Sequence, residues 1–163
     1  MRHAARIAIP IVLIAAIAAV LWWRASVRND RARAAEPARS LAAALASGDR
    51  AAIRQLVVTP DFLAAKSPDE RDQLLLDLLA SEISPGGLTI LQESGQFGPL
   101  SEVFPAEADS WARAFSVSPD ECVAFRMENG DNPAELVLHR GANGYRVLRC
   151  NNVRQLARPP PSP

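Results

Sequence analysis

The chain has 163 residues, with 18 basic and 18 acidic side chains balancing to a formal charge of zero, two histidines and two cysteines. That length allows one domain with its own core. The neutral balance, with no basic patch in the part that folds, excludes a nucleic-acid binder. No phosphate loop, metal-ligand cluster or catalytic signature occurs, so no cofactor is expected and an enzyme is disfavoured.

Residues 1–6 form a short basic tail. From Ile7 to Trp23 the chain reads IAIPIVLIAAIAAVLWW, 17 residues without a charge, between Arg6 and Arg24. As a helix this spans roughly 25 Å, near the lower limit for a hydrocarbon core of about 30 Å. Trp22 and Trp23 suit the headgroup layer, and Arg24 can snorkel past it. The Ala-x-Ala pattern at Ala16–Ala18 lies inside the apolar run, a poor place for cleavage. The expectation is a retained signal-anchor over residues 7–23, crossing the bilayer once.

Residues 24–35 form a basic juxtamembrane segment. Arg24, Arg28, Arg31, Arg33 and Arg39 come after the run, against Arg2 and Arg6 before it. Taken alone, that asymmetry places the C-terminal domain in the cytoplasm. A short basic tail leading into an apolar run is also the layout of an exported bacterial protein. The expected address is the bacterial inner membrane with the C-terminal domain extracytoplasmic. The expected partners are the lipid bilayer and a protein of the envelope; the oligomeric state is left open.

The globular domain is expected over residues 36–157. Asp30 to Ser47 is alanine-rich with Leu41 and Leu45 four apart, which predicts a helix with a break at Pro37. Gly48 ends it, and Asp49 caps a short helix over AAIRQLV. Ser67-Pro68-Asp69-Glu70 combines an N-cap, a first-turn proline and a capping box. The helix after it puts Leu74, Leu75, Leu78 and Leu79 on one apolar face. Leu88 to Phe97 reads as a strand. Pro105 to Phe115 reads as a short helix with Trp111 and Phe115 on one side. Ser118 to Glu121 caps only a turn.

Three more strands come next: Glu121–Glu128, Ala134–Arg140 and Tyr145–Cys150, joined by turns at Asn129–Asn132 and Gly141–Gly144. Pairing Arg126 with Glu135 sets opposite charges face to face. It also sets Phe125 level with Leu136 and Leu138 level with Val147. One face then carries Val123, Phe125, Met127, Leu136, Leu138, Tyr145 and Val147, and the leucine helix covers it. The other face is mixed and carries Cys122, Ala124, His139, Leu148 and Cys150. The proline-rich tail, 158–163, is expected to stay unpacked. The fold class is α+β: a transmembrane helix, then helices packed on a curved antiparallel sheet of about four strands.

ALASGDRAAIRQLVVTPDF, over Leu41 to Phe62, resembles the opening helices of the nuclear transport factor two-like (SnoaL-like) superfamily. DECVAFRME and YRVLRCNNV are similar to stretches of membrane-anchored bacterial proteins with no assigned activity. The resemblance implies a sheet curled into a cone, in which catalytic members place an Asp and a His. No such dyad maps onto this chain.

Four residues are candidates for a pocket or surface site. His139 and Cys122 are level on neighbouring strands, and such a pair can activate a thiolate. As a bare strand histidine without an orienting third group, His139 reads as structural. Trp111 belongs to an aromatic cluster with Phe104 and Phe115, suited to core or to an apolar ligand. Asn151, with Asn152, ends the last strand, where asparagine usually serves backbone groups. In the simple register Cys122 and Cys150 share a face but lie about 15 Å apart, too far for a disulfide. The leading reading is a membrane-anchored, non-catalytic binding or assembly domain. The alternative is a cone-shaped ligand binder or degenerate enzyme with His139 in the cavity.

Overall fold

The computed structural model describes residues 2–130 and 132–157; in the first helix it describes the side chains of Ala19, Leu21, Trp22, Ser26 and those from residue 28 onward. The tail at 158–163, and most side chains of the apolar run 7–23, lie outside the described residues. The chain divides into two compact units, Met1–Arg33 and Ala34–Pro163.

One helix, α1, runs from Arg2 to Ser47. The first unit holds its N-terminal part, which includes residues 2–6. Leu21 is 60% exposed and Trp22 75% exposed. Among the described residues no single helix is long and apolar enough to cross a membrane.

In the second unit α1 passes through Pro37 without a break. Proline removes one N–H donor, and the neighbouring turns carry the helix on. Ala34, Ala35, Ala38, Leu41, Ala42 and Ala44 are all buried, and small side chains at helical spacing let the helix press closely on its neighbours. Gly48, at φ +70°, closes the helix in the left-handed conformation that favours glycine. Asp49 then caps α2, Arg50–Leu56, accepting from the Ala52 N–H. A short 3-10 turn comes next at Asp61–Leu63.

The helix α3, Pro68–Glu82, starts at the expected capping box: Ser67 accepts from the Glu70 N–H, and the Glu70 carboxylate accepts from the Ser67 N–H. Its apolar face is narrower than the leucine pattern suggested. Leu75 and Leu79 are buried, whereas Leu74 is 43% and Leu78 58% exposed.

The stretch expected as a strand from Leu88 is a helix. α4 covers Pro85–Ser94, with Ser84 as N-cap accepting from the Gly87 N–H and Pro85 at the first position. Leu88, Leu91 and Gln92 recur at helical spacing and are buried. Only Gln96–Pro99 forms strand β1. Two short helices come after it, α5 at Leu100–Val103 and α6 at Ala108–Ala114. Pro119–Glu121 makes one 3-10 turn.

Strands β2, Cys122–Met127, β3, Ala134–Gly141, and β4, Gly144–Asn151, complete an antiparallel sheet in the order β1-β2-β3-β4. The first hairpin has the expected register, Arg126 level with Glu135 and Phe125 with Leu136. The charges that suggested it do not pair with each other. Arg126 bridges Glu128 at 2.9 Å, and Glu135 takes Arg149 at 3.3 Å.

The second hairpin begins as expected, Arg140 with Tyr145 and Leu138 with Val147, and then shifts. Val137 pairs with Arg149 and Leu136 with Cys150, which leaves Leu148 as the extra residue of a β-bulge. The bulge turns Cys150 onto the face of Leu136. The expectation that both cysteines share the mixed face is corrected by that one residue.

Both faces of the sheet are covered. On one, Phe125, Leu136, Leu138, Val147 and Cys150 pack with Leu41, Leu75, Leu79, Leu88 and Leu91. On the other, Cys122, Ala124, Val137 and Leu148 pack with Leu100, Val103, Phe104 and Ala108. The face expected to be mixed is therefore apolar at its centre. Val57 and Val58, after α2, meet the outer edge of β4, the Val58 N–H donating to the Val147 carbonyl at 2.9 Å.

Candidate functional site

His139 and Cys122 are cross-strand partners, as the register required. Their polar contacts run to other groups. The Cys122 thiol donates to the Ser118 carbonyl at 3.3 Å. Burial, then the nearby Glu121 carboxylate, pushes its pKa up to about 11. At neutral pH it stays protonated, the opposite of what a nucleophilic cysteine needs. His139 directs Nε2 to the Glu121 carboxylate at 3.3 Å, while its Nδ1 is buried without a partner.

Trp111 stacks at a tilt on Phe104, centroids 4.8 Å apart, and carries the Arg149 guanidinium over its ring at 4.9 Å. Phe104 is fully buried and holds Arg126 over its outer side at 5.3 Å. The aromatic cluster thus seals the second apolar core beneath a cover of two arginines. Glu135, itself buried, anchors Arg149.

Asn151 is half-buried and level with Glu135. Its neighbour carries the backbone role. Asn152, at φ +55°, donates its N–H to Glu82 at 2.6 Å and its side-chain amide to the Pro133 carbonyl at 3.2 Å. Gln155 donates back to its Oδ1. The bond to Glu82 fastens the end of β4 to α3.

Neither of the two grooves among the described residues is lined by His139, Cys122, Trp111 or Asn151. Cys122 and His139 are neighbours, Trp111 packs with Cys122 in the second core, and Asn151 is level with Glu135. Both cysteines are free and buried. Cys150 lies in the other core, its pKa pushed up to about 12 by burial and the Glu82 carboxylate. Among the described residues no group of three or more His, Cys, Asp or Glu side chains could hold a metal.

Two polar arrangements had no signal in the sequence. Gln92, buried on α4, donates to the Ala35 carbonyl at 3.2 Å and accepts from Arg39 at 3.0 Å. It ties the second unit's part of α1 to α4. On α3, Asp72 is buried beneath the half-exposed Arg54 of α2, whose guanidinium donates to both carboxylate oxygens. That hydrogen bonding outweighs burial and holds the Asp72 carboxyl below the usual range. A groove of about 240 Å³ opens beside this pair, lined by Arg54, Thr59, Pro68, Arg71, Asp72 and Leu75. A second, of about 600 Å³, lies between Gln55, Leu56 and the Gly141–Arg146 hairpin.

Comparison with known proteins gives no match: no family model, no curated protein and no solved structure is significantly similar to the chain.

Proposed function

We propose that the chain is a single-pass, membrane-anchored, non-catalytic domain that binds or assembles with a protein of the bacterial envelope. The observation that carries this is the filling of both sheet faces. Ala124, Phe125, Leu136 and Leu138 have no exposure at all, so the middle of the sheet is filled with side chains on both faces. The residues best suited to chemistry are spent on structure, Cys122 on a carbonyl and Glu82 on a backbone N–H. What remains for recognition is surface. Leu74 and Leu78, four apart on α3, and Phe62, 70% exposed, present apolar area to a partner.

The anchor reading rests on the uncharged run Ile7–Trp23 with arginine at both ends. The exposure of Leu21 and Trp22 is what a lipid-facing helix would show. The domain beyond it is taken as extracytoplasmic. Two measurements test the proposal. The intact protein should resist alkaline extraction from membranes and keep its N-terminus; a mature chain starting near residue 19 or 26 would overturn the anchor. Partners co-purified from membranes should be lost in the double variant Leu74→Glu, Leu78→Glu; retention would overturn the surface.

A second reading draws on one observation, the buried and unpartnered Nδ1 of His139. A cone-shaped binder of the nuclear transport factor two-like kind would turn that nitrogen towards a small ligand. Loss of cellular function in His139→Ala, with an unchanged melting temperature, would favour it.

A further inference from the structure

The larger groove runs beside the outer edge of the sheet, and none of its lining residues belongs to the exposed apolar set of Phe62, Leu74 and Leu78. One wall is the end of α2, with Gln55 and Leu56, and the other is the hairpin from Gly141 to Arg146. β4 is the last strand of the sheet. Val57 and Val58 cover its free edge at Val147, whose carbonyl accepts from the Val58 N–H. That bond fixes which groups of β4 point outward, because residues two apart in a strand turn their N–H and C=O to the same side. Tyr145 therefore presents both backbone groups away from β3. The two-residue turn gives the same answer. Gly141 pairs with Gly144 and closes it, so the next pair, Arg140 with Tyr145, is the non-hydrogen-bonded one. Among the described residues neither Tyr145 group has a partner.

The charge beside this edge is positive and has no carboxylate of its own. Residues 136–163 include no Asp or Glu. Arg149 is taken by Glu135, and Arg154 by the Ala80 carbonyl. Arg140 donates to the Tyr145 hydroxyl at 3.0 and 2.7 Å, which is a neutral acceptor. Arg146 is exposed and lines the groove, and among the described residues it makes no hydrogen bond or ion pair. The Glu121 carboxylate is turned to His139, the cross-strand partner of Arg146.

We propose that this groove takes an extended peptide segment of a partner protein, paired to the Tyr145 N–H and C=O as a short added strand and carrying an acidic side chain onto Arg146. An unpaired strand edge is a template for another chain. A charge-assisted bond to the guanidinium then selects acid over base. The volume of about 600 Å³ is within the range of ligand clefts, roughly 300–1,000 Å³. Val57 and Val58 already occupy the edge at Val147, so the added strand is short and the contact is of the weak, transient kind.

The test uses the full chain in detergent micelles and a blocked pentapeptide, acetyl-Val-Glu-Val-Glu-Val-amide, with the Tyr145 amide and Arg146 Nε–H signals followed by ¹⁵N NMR. The peptide should shift both signals saturably, and added salt should weaken it. The same peptide with lysine in place of glutamate should leave both signals unmoved. Arg146→Gln removes an exposed side chain without a partner, so the melting temperature should hold while the affinity falls at least about tenfold. Methylating alternate backbone nitrogens of the peptide, in the two possible sets, should abolish binding with one set, since only one faces Tyr145. No saturable shift overturns the proposal, as does equal binding of the lysine peptide or wild-type affinity in Arg146→Gln. Full affinity with both methylated sets would rule out the added strand. Shifts confined to α3 would place the peptide on the leucine surface instead, overturning the groove while leaving the assembly role standing.

Discussion

The Arg54 guanidinium lies across the carboxylate of Asp72, its Nε donating at 2.8 Å to both oxygens. This pair joins α2 to α3, and it is asymmetric. Asp72 is buried, whereas more than half of the Arg54 side chain is exposed. Water screens the arginine's side of the interaction, so the carboxylate is the member whose loss is felt.

The pair predicts an acid limb. The folded-state pKa of Asp72 lies below its unfolded value, chiefly because Arg54 hydrogen-bonds the charged form. Its stabilisation is therefore fully present above the ordinary aspartate value. It is lost as pH falls through the lower folded value, in the range below about pH 4. Asp72→Asn should lower the melting temperature at neutral pH. The gap from wild type should close as the pH approaches about 3. Melting curves from pH 7 downward check this; a gap that widens on acidification would contradict it.

α3 predicts a contrast within four leucines. Leu75→Ala and Leu79→Ala empty space in the main core and should each cost about 2–4 kcal/mol. Leu74→Ala and Leu78→Ala remove exposed side chains and should stay within about 0.5 kcal/mol. Denaturant unfolding of the four variants distinguishes them. Equal losses at all four would mean that the outer pair is covered in the protein as it exists.

Gly87 predicts the sharpest local sensitivity. A Cβ there would come within 1.9 Å of the Val153 carbonyl oxygen and 2.8 Å of its carbon. Backbone cannot yield as a flexible side chain does, so α4 and the 3-10 segment Val153–Ala157 must separate. Gly87→Ala should cost about 3 kcal/mol, the upper end of what overpacking does. Gly86→Ala meets only the Ala157 Cβ at 3.3 Å and should be far milder. The two melting temperatures side by side decide the point.

The parts legible in the sequence were those written locally. Ser67 to Glu70 spelled out a helix start, because cap, proline and capping box lie within one turn. Gly130 and Gly144, both at positive φ, marked the hairpin turns, and alternation then set the β2–β3 register. Ser84-Pro85 carries the same start signal as Ser67-Pro68, but two glycines come directly after it and the stretch reads as a stop. Close packing of Gly87 on Val153 explains the second of those glycines, and nothing local announces it. The bulge at Leu148 is likewise silent, since turn residues set a register only near the turn. The site residues were hardest to read. Arg54 and Asp72 are 18 positions apart on different helices.

The bulge has a chemical consequence for the cysteines. It places Cys150 in the core beneath α3 and leaves Cys122 in the core beneath α5 and α6. Burial holds both thiols protonated, at about 11 for Cys122 and about 12 for Cys150. Both should resist a thiol reagent at neutral pH in the native state and react fully in denaturant without a reductant. Peptide mapping under non-reducing conditions that found a Cys122–Cys150 link would refute the arrangement of the sheet.

His139 is the residue most easily mistaken for a catalyst, and its replacement by alanine should leave the fold largely intact. The ring makes one polar contact, from Nε2 to the exposed Glu121. Its second nitrogen is buried without a partner. Alanine removes apolar contact and that one interaction, but it also removes a polar atom that burial leaves unsatisfied. The net cost should be about 1 kcal/mol. Catalysis would need more than the imidazole: a nucleophile, which the protonated Cys122 is not, and a donor pair for a developing charge. Complementation of a deletion strain by His139→Ala, beside a melting curve of the purified protein, separates the readings. Full complementation with a small drop in melting temperature is the expected result. Lost function at unchanged stability would place His139 in a binding site and move the cone-shaped binder ahead of the assembly domain.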